Sequence, residues 1–289
     1  MASRALKKAR IFLEMIRFEH TVFALPFAYI GALLVEKAIP STHDLLWITL
    51  GMIGARTAAM SLNRLIDRHI DARNPRTAGR ALPRGLISVY EVWVYTVLSF
   101  VLLFLAAWQL SPLAVKLFPL VVAVLTGYSY TKRFTWACHL WLGMALGFAP
   151  LASWIAISNR FDIAPMFLFL GVLFWVAGFD IIYACLDHEF DRCSGLYSIP
   201  ARFGIKRALR IAGIFHCLAS AMFVVTGLVL HLSFIYFIGV GIAIVILFYE
   251  HRIVNPDDLR RVNIAFFNMN AALSICLFLF TLAEVLLPK

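Results

Sequence analysis

The sequence predicts an all-helical integral membrane protein. Hydrophobic residues make up 62% of its 289 residues and charged residues only 15%, and the mean hydropathy is +0.85. The apolar runs are continuous for about 17–23 residues, the length that a helix needs to cross the hydrocarbon core. That continuity and length favour helices over strands. We therefore expect one membrane-embedded domain over residues 1–289.

Apolar runs separated by charged or turn residues predict a bundle of nine transmembrane helices. The first run contains Pro26, and only a few polar residues around His231 separate the seventh run from the eighth. The predicted spans lie at roughly 20–36, 44–63, 89–108, 113–130, 138–158, 164–185, 208–230, 232–249 and 265–286.

The formal charge of +10 would suit an acidic partner such as nucleic acid, but the distribution of basic residues indicates membrane topology instead. Five segments on one side of the predicted membrane hold 22 of the 26 Lys and Arg residues: 1–20, 56–88, 131–137, 187–210 and 250–264. Basic residues are in excess on the cytoplasmic side of membrane proteins. We therefore expect a multi-pass protein of the inner (plasma) membrane, with a cytoplasmic N-terminus and no nucleic-acid partner.

A polar stretch, NRLIDRHIDARNPRTAGRALPRG at 63–85, directly follows the second apolar run. Its Asn63, Asp67 and Asp71 recur every four residues and would therefore stack along one face of a helix. An array of carboxylate and amide oxygens suits a hard divalent cation such as Mg²⁺. The arginines that follow suit a phosphate group.

A second polar stretch, DIIYACLDHEFDRCSG at 180–195, ends the sixth predicted span. Asp180, Tyr183, Asp187 and Asp191 again share one predicted helical face. The second and sixth spans run in the same direction, so the two stretches end on the same, cytoplasmic side. An Asp at the centre of a span costs roughly 2.5–3.5 kcal/mol, so two such arrays require metal, arginine or water to offset the cost.

Together these motifs resemble the UbiA superfamily of membrane aromatic prenyltransferases. The resemblance rests on NxxxDxxxD after the second span, YxxxDxxxD after the sixth, and GYSYTKR at 127–133. It implies Mg²⁺-dependent transfer of an isoprenoid from polyprenyl diphosphate to a small aromatic acceptor within the bilayer. The segments MIRFEHTVFALPFAYIGALL and GLYSIPARFG are most similar to the 4-hydroxybenzoate polyprenyltransferase branch, which is used in quinone synthesis. Related enzymes that act on naphthoates for menaquinone remain an alternative.

The reaction assigns expected roles to the polar residues. A leaving diphosphate needs its developing charge neutralised, and two Mg²⁺ ions between the motifs would bridge it. Five residues are the predicted metal ligands, and the four aspartates among them are the predicted catalytic residues: Asn63, Asp67, Asp71, Asp187 and Asp191. Four further residues are predicted to contact the diphosphate or to orient it and the allylic cation: Arg76, Arg80, Lys132 and Tyr128. Tyr183, the first residue of the second motif, is also predicted to bind substrate.

The aromatic acceptor needs a recognition group of its own. If the acceptor is a carboxylate such as 4-hydroxybenzoate, a buried arginine should hold it, with paired hydrogen bonds where geometry allows. Arg17 and Arg56 are the candidates, although Arg17 would also suit an interfacial anchor. Arg56 lies two helical turns before Asn63. His139 is expected to be merely interfacial.

Two other classes fit part of the pattern. A proton-coupled transporter also places acids in its spans, but it would place them near the midplane with access from both sides. A CDP-alcohol phosphotransferase uses Asp arrays and Mg²⁺, but it resembles DxxDGxxAR…GxxxDxxxD within one stretch. Here the acids cluster on one side, and arginines accompany them.

Overall fold

The computed structural model describes residues 2–16 and 21–287, and every regular element in these residues is helical. The α-helices are α1 (Ala2–Met15), α2 (Thr21–Glu36), α3 (Thr42–Arg73), α4 (Val89–Leu110), α5 (Pro112–Thr131), α6 (Cys138–Ser158), α7 (Ala164–Ala184), α8 (His188–Cys193), α9 (Ile199–Phe203), α10 (Ile205–Val229), α11 (Phe234–Ile253), α12 (Val262–Ile264) and α13 (Asn270–Leu286). A 3₁₀ turn at Cys185–Asp187 joins α7 to α8, and a π-helical segment at Ala265–Met269 joins α12 to α13.

The predicted all-helical membrane class is confirmed, whereas the count of nine spans is not. In the described part of the chain, eight helical segments are long and apolar enough to cross a membrane. The first predicted span corresponds to α2, which has 16 residues, contains Pro26 and is apolar only over Phe23–Glu36. A helix of that length rises about 24 Å, which is less than the roughly 30 Å thickness of the hydrocarbon core.

The second predicted span is longer than expected. The sequence predicted its end near 63, but α3 continues unbroken to Arg73 over 32 residues. Ser41 caps its first turn by accepting a hydrogen bond from the Asp44 backbone N–H, as N-cap serines do. The Asn63, Asp67 and Asp71 side chains therefore lie on the last turns of a continuous helix, as their four-residue spacing predicted.

The sixth predicted span ends differently from the prediction. The sequence indicated one helical face from Asp180 to Asp191, but α7 ends at Ala184 and the 3₁₀ turn intervenes before α8. A 3₁₀ turn is wound more tightly than an α-helix and has poorer hydrogen-bond geometry. The second polar motif is therefore carried by a broken helix.

Close helix packing depends on small residues at the crossings. A Cβ at Gly54 of α3 would come within 2.8 Å of the Ser99 carbonyl oxygen of α4. A Cβ at Gly147 of α6 would come within 2.9 Å of the Phe169 carbonyl oxygen of α7. Small residues that let backbones approach in this way are typical of membrane helix interfaces. They hold α3 and α7, which carry the two motifs, in a tightly packed bundle.

Candidate active site

Both polar motifs open onto one cavity of about 1360 Å³. All the predicted site residues line it except Arg17, which lies outside the described residues; those in the lining are Arg56, Asn63, Asp67, Asp71, Arg76, Arg80, Tyr128, Lys132, Tyr183, Asp187 and Asp191. They come from α3, the loop after it, the end of α5, and the α7–α8 region. Residues more than 100 positions apart in sequence thus face the same space.

Away from the charged residues, the cavity is lined by hydrocarbon side chains. Leu103 and Leu110 of α4, Phe118 and Leu125 of α5, and Phe148 of α6 form part of this wall. The cavity is therefore polar at the ends of α3 and α7 and apolar between the spans. Such a shape suits a molecule with a charged head and a hydrocarbon tail.

Asp67 is the most heavily paired acid of the first motif, and it is only 1% exposed. Lys132 Nζ lies 2.5 Å from its Oδ2, and an Arg133 guanidinium nitrogen lies 2.9 Å from its Oδ1. Asn63 Nδ2 also donates to Oδ2, at 3.0 Å. Arg133 was not predicted, although it stands beside Lys132 in the motif GYSYTKR. Two cations thus offset the cost of burying this carboxylate.

Asp71 lies one turn after Asp67, and only one of its two carboxylate oxygens accepts a hydrogen bond. Arg80 donates to Oδ1 at 2.7 Å, whereas the buried Oδ2 makes no hydrogen bond and lies 4.0 Å from Arg64. Arg64 was not predicted as a site residue. It is buried, and it donates to the Met15 carbonyl oxygen at 3.2 Å and to Asn63 Oδ1 at 3.1 Å, so it ties the end of α1 to the first motif.

Arg76 joins the two motifs. Its Nε donates to Asp187 Oδ1 at 2.8 Å, another guanidinium nitrogen contacts Asp187 Oδ2, and a third donates to the Tyr183 hydroxyl at 2.9 Å. Asn74 Nδ2 adds a hydrogen bond to Asp187 at 2.9 Å. Burial alone lowers the pKa of the Arg76 guanidinium, but the hydrogen bond and charge of Asp187 more than offset this and raise the pKa above its usual value. Arg76 therefore stays cationic.

His139, expected to be interfacial, is instead buried in the cavity wall, because α6 begins beside the end of α7. Its Nδ1 lies 2.7 Å from Asp180 Oδ2, and its Nε2 accepts the backbone N–H of Ile199 at 3.2 Å. Both His139 and Asp180 line the cavity. No sequence pattern distinguished His139, because its partners are brought to it only by the fold.

The acids of the site could hold a hard cation only together with oxygen ligands from a second molecule. Within residues 2–16 and 21–287, no group of three or more His, Cys, Asp or Glu side chains is arranged to hold a metal ion. The donors are nevertheless carboxylate and amide oxygens, which Mg²⁺ and similar ions prefer. The buried Asp71 Oδ2, which makes no hydrogen bond, is a ready ligand. Mg²⁺ usually binds one or two carboxylates together with substrate phosphates, and that is the arrangement these residues fit.

Comparison with known proteins gives consistent matches over most of the chain. The model of the UbiA prenyltransferase family matches residues 24–273. A 4-hydroxybenzoate octaprenyltransferase from Vibrio cholerae is 28% identical over 91% of this chain and 93% of its own length. Another with that name, from Xanthomonas euvesicatoria, is 31% identical over 78% of this chain and 74% of its own length.

Solved structures share the fold. A UbiA homolog from Aeropyrum pernix K1, described as an apo structure, superposes with a TM-score of 0.85 at 33% identity, covering 93% of this chain and 98% of that one. A UbiA homolog from Archaeoglobus fulgidus bound to GPP and Mg²⁺ gives a TM-score of 0.73 at 19% identity, over 96% of this chain and the whole of that one. At that identity the second match shows the fold alone.

Proposed function

This chain belongs to the UbiA prenyltransferase family, and from that premise we propose that it transfers a polyprenyl group from polyprenyl diphosphate to a 4-hydroxybenzoate-like acceptor in quinone biosynthesis. The observation that carries the proposal is the single cavity onto which both acidic motifs and three predicted phosphate-binding cations open. One membrane domain over 1–289 would suffice for this reaction. Family membership argues against the transporter and the CDP-alcohol phosphotransferase.

The polar end of the cavity would bind the diphosphate. Mg²⁺, held there by Asn63, Asp67, Asp71, Asp187 and Asp191 together with diphosphate oxygens, would supply the positive charge that stabilises the leaving group. Arg76, Arg80 and Lys132 already reach the same carboxylates. Because arginine and lysine side chains pair with phosphate as well as with carboxylate, these three side chains would exchange carboxylate partners for phosphate oxygens when substrate binds. The three cations would then be paired with an anionic group both before and after the diphosphate binds.

The apolar part of the cavity would hold the isoprenoid tail and exclude water from the allylic carbon. Exclusion of water matters because an allylic cation reacts with it readily. Arg56 lies two turns from Asn63 on α3 and also lines the cavity, so it would hold the acceptor carboxylate beyond the diphosphate. Tyr128, which lines the cavity from α5, would orient the reacting end of the prenyl chain. The polar end of the cavity would open to the cytoplasm, as the distribution of basic residues predicts.

A panel of acceptors tests the proposed reaction. Purified protein would be supplied with labelled polyprenyl diphosphate, Mg²⁺ and either 4-hydroxybenzoate or a dihydroxynaphthoate. We expect prenylated 4-hydroxybenzoate as the main product, and its loss when EDTA removes the metal. Transfer to the naphthoate alone would assign the enzyme to menaquinone synthesis. Hydrolysis of the diphosphate without transfer to any acceptor would contradict the proposal.

Substitution of Arg56 tests acceptor binding separately. Arg56→Ala should raise the KM for 4-hydroxybenzoate by about 10–100-fold, because a charge-assisted hydrogen bond contributes roughly 1.5–3 kcal/mol, and should leave the KM for polyprenyl diphosphate nearly unchanged. Arg56→Lys, which keeps the charge but not the paired geometry, should recover part of the loss. An equal rise in both KM values would place Arg56 at the phosphate end.

A further inference from the structure

Asp180 and His139 form a polar pair in the cavity wall to which neither the motifs nor the proposed diphosphate site assigns a role. Asp180 precedes Asp187 by seven residues, about two turns or 10 Å closer to the middle of the span. Both residues line the same cavity. The Asp180 side chain is 24% exposed, whereas the His139 side chain is 3% exposed. Ionisable groups that face a cavity within a span usually have a function.

The surroundings of His139 determine which nitrogen carries its proton. Nε2 accepts the backbone N–H of Ile199 at 3.2 Å, so it cannot carry a proton of its own. Nδ1 therefore carries the proton, and at 2.7 Å it donates to Asp180 Oδ2. With both nitrogens engaged, His139 is a neutral support that orients the Asp180 carboxylate. This is the arrangement in which a histidine positions a carboxylate and does not itself transfer the proton.

Asp180 differs in its partners from three of the four motif aspartates. Asp67, Asp71 and Asp187 each contact at least one Lys or Arg side chain. For Asp180, no Lys or Arg side chain lies within ion-pair distance in the described part of the chain. His139 contacts its Oδ2, and the partly exposed side chain belongs to a residue of the cavity lining. A carboxylate with no cation partner keeps an oxygen available to a substrate that enters the cavity.

The proposed prenyl transfer releases a proton, and the cavity must provide a place for it. The C–O bond to the diphosphate breaks with its electron pair, and a ring carbon of the acceptor bonds to the allylic carbon. The C–H bond at that ring carbon then breaks, its electrons restore the aromatic ring, and a base takes the proton. In a water-excluding cavity that base must already lie beside the ring, and the two available kinds are a side chain of the cavity wall and the departing diphosphate.

Resting on the proposed function, we propose that Asp180 Oδ1 is the base that removes the ring proton, and that His139 is its positioning residue. The location fits because Asp187 contacts Arg76 at the diphosphate end, and Asp180 lies about two turns deeper on the same wall. An aromatic ring joined to the allylic carbon would lie between these two levels. Four aromatic residues line this part of the cavity: Phe179, Tyr183, Phe266 and Phe267.

Deuterium at the ring positions beside the acceptor hydroxyl tests the role directly. In the wild type we expect removal of the ring proton to be fast, so labelled and unlabelled acceptor should react at equal rates. Asp180→Asn keeps the shape and still accepts the His139 hydrogen bond, but it cannot take a proton. We expect its turnover to fall by about 10²-fold or more, with a deuterium isotope effect that the wild type lacks. Affinity for polyprenyl diphosphate should be unchanged.

Two further variants separate chemistry from folding. His139→Ala should slow turnover and introduce a smaller isotope effect, and His139→Asn, whose amide can still donate to Asp180, should recover much of the loss. Glu250→Gln is the matched control, because Glu250 is a buried carboxylate within a span but does not line the cavity; it should show no isotope effect.

The outcomes distinguish this proposal from the proposed function. Full activity of Asp180→Asn without an isotope effect, in a preparation whose wild type prenylates the acceptor, would overturn the role of Asp180 and leave the proposed function intact. Failure of the wild type to prenylate any aromatic acceptor would overturn both. A loss of turnover in Asp180→Asn that appears without the isotope effect would also overturn the role, because it would show that another step had been impaired.

Discussion

The two acidic motifs look alike in sequence but differ in how the fold carries them. The first lies on the unbroken α3, and its Asp67 and Asp71 are 1% and 4% exposed. Its cation partners come from two other segments, Lys132 with Arg133 and Arg80. The second motif is interrupted by the 3₁₀ turn at Cys185–Asp187, and neither of its aspartates is fully buried.

The difference indicates different mechanical roles for the two motifs. A long helix whose acids are buried among fixed partners acts as a rigid wall. A short 3₁₀ turn between two helices often marks a hinge, and the acid at this one, Asp187, is held chiefly by the single side chain of Arg76 and by Asn74. We expect the second motif to adjust to the substrate while the first stays in place. Each prediction below tests that contrast.

The largest effect is expected from removal of the acids. Asp67→Ala, Asp71→Ala, Asp187→Ala and Asp191→Ala should each abolish product formation, a loss of at least about 10²–10³-fold, in membranes supplied with Mg²⁺ and polyprenyl diphosphate. Only Asp67→Ala should also lower the thermal stability strongly, because it leaves Lys132 and Arg133 close together without their carboxylate. Activity assays and melting curves in detergent measure the two effects separately.

The control for these variants is Asp162→Ala. Asp162 is an acid between α6 and α7 that accepts hydrogen bonds from Trp154 and Arg160 and does not line the cavity, so its loss should leave catalysis intact. Near wild-type activity in two of the four motif variants would contradict the metal-binding role of the acids. Equal destabilisation by Asp67→Ala and Asp191→Ala would contradict the rigid-wall interpretation.

An intermediate effect is expected from the arginines that bind each motif. Arg76→Ala should raise the KM for polyprenyl diphosphate by about 10–100-fold, because a hydrogen bond to a charged group contributes roughly 1.5–3 kcal/mol. Arg80→Ala should have a smaller effect, because Arg80 makes one contact and Arg64 remains near Asp71. Steady-state kinetics with varied diphosphate measure both.

Lysine replacements sharpen this comparison. Arg76 contacts both oxygens of Asp187 and the Tyr183 hydroxyl, which a lysine cannot reproduce, so Arg76→Lys should stay impaired. Arg80 contacts Asp71 through one nitrogen, which a lysine can replace. The Arg80→Lys variant should therefore be nearly as active as the wild type. Full rescue of Arg76→Lys would show that its paired geometry is unimportant.

The sequence was sufficient for the helical membrane class, which depends on a local pattern, and for the acids and cations that the two motifs and the family resemblance mark. Hydropathy reveals spans, and a four-residue spacing places Asn63, Asp67 and Asp71 on one face. It was insufficient for Arg64, Arg133 and His139. Their partners lie 49, 66 and 41 positions away, and only tertiary packing joins them. Hydropathy also misjudged the end of α3, because a helix can extend beyond its apolar part.

The smallest effect is expected at two glycines in the loops that follow the motifs. Gly85 and Gly195 have φ of +67° and +66°, and a Cβ at either would meet no atom within 4 Å. Alanine there should therefore cost only the backbone strain, about 1–2 kcal/mol. Gly79, which is equally uncrowded but is not in the left-handed region, is the matched control. If the second motif is the adjustable one, Gly195→Ala should raise the KM for polyprenyl diphosphate a few-fold, while Gly85→Ala should lower thermal stability alone. The reverse pattern would assign the mobile role to the first motif.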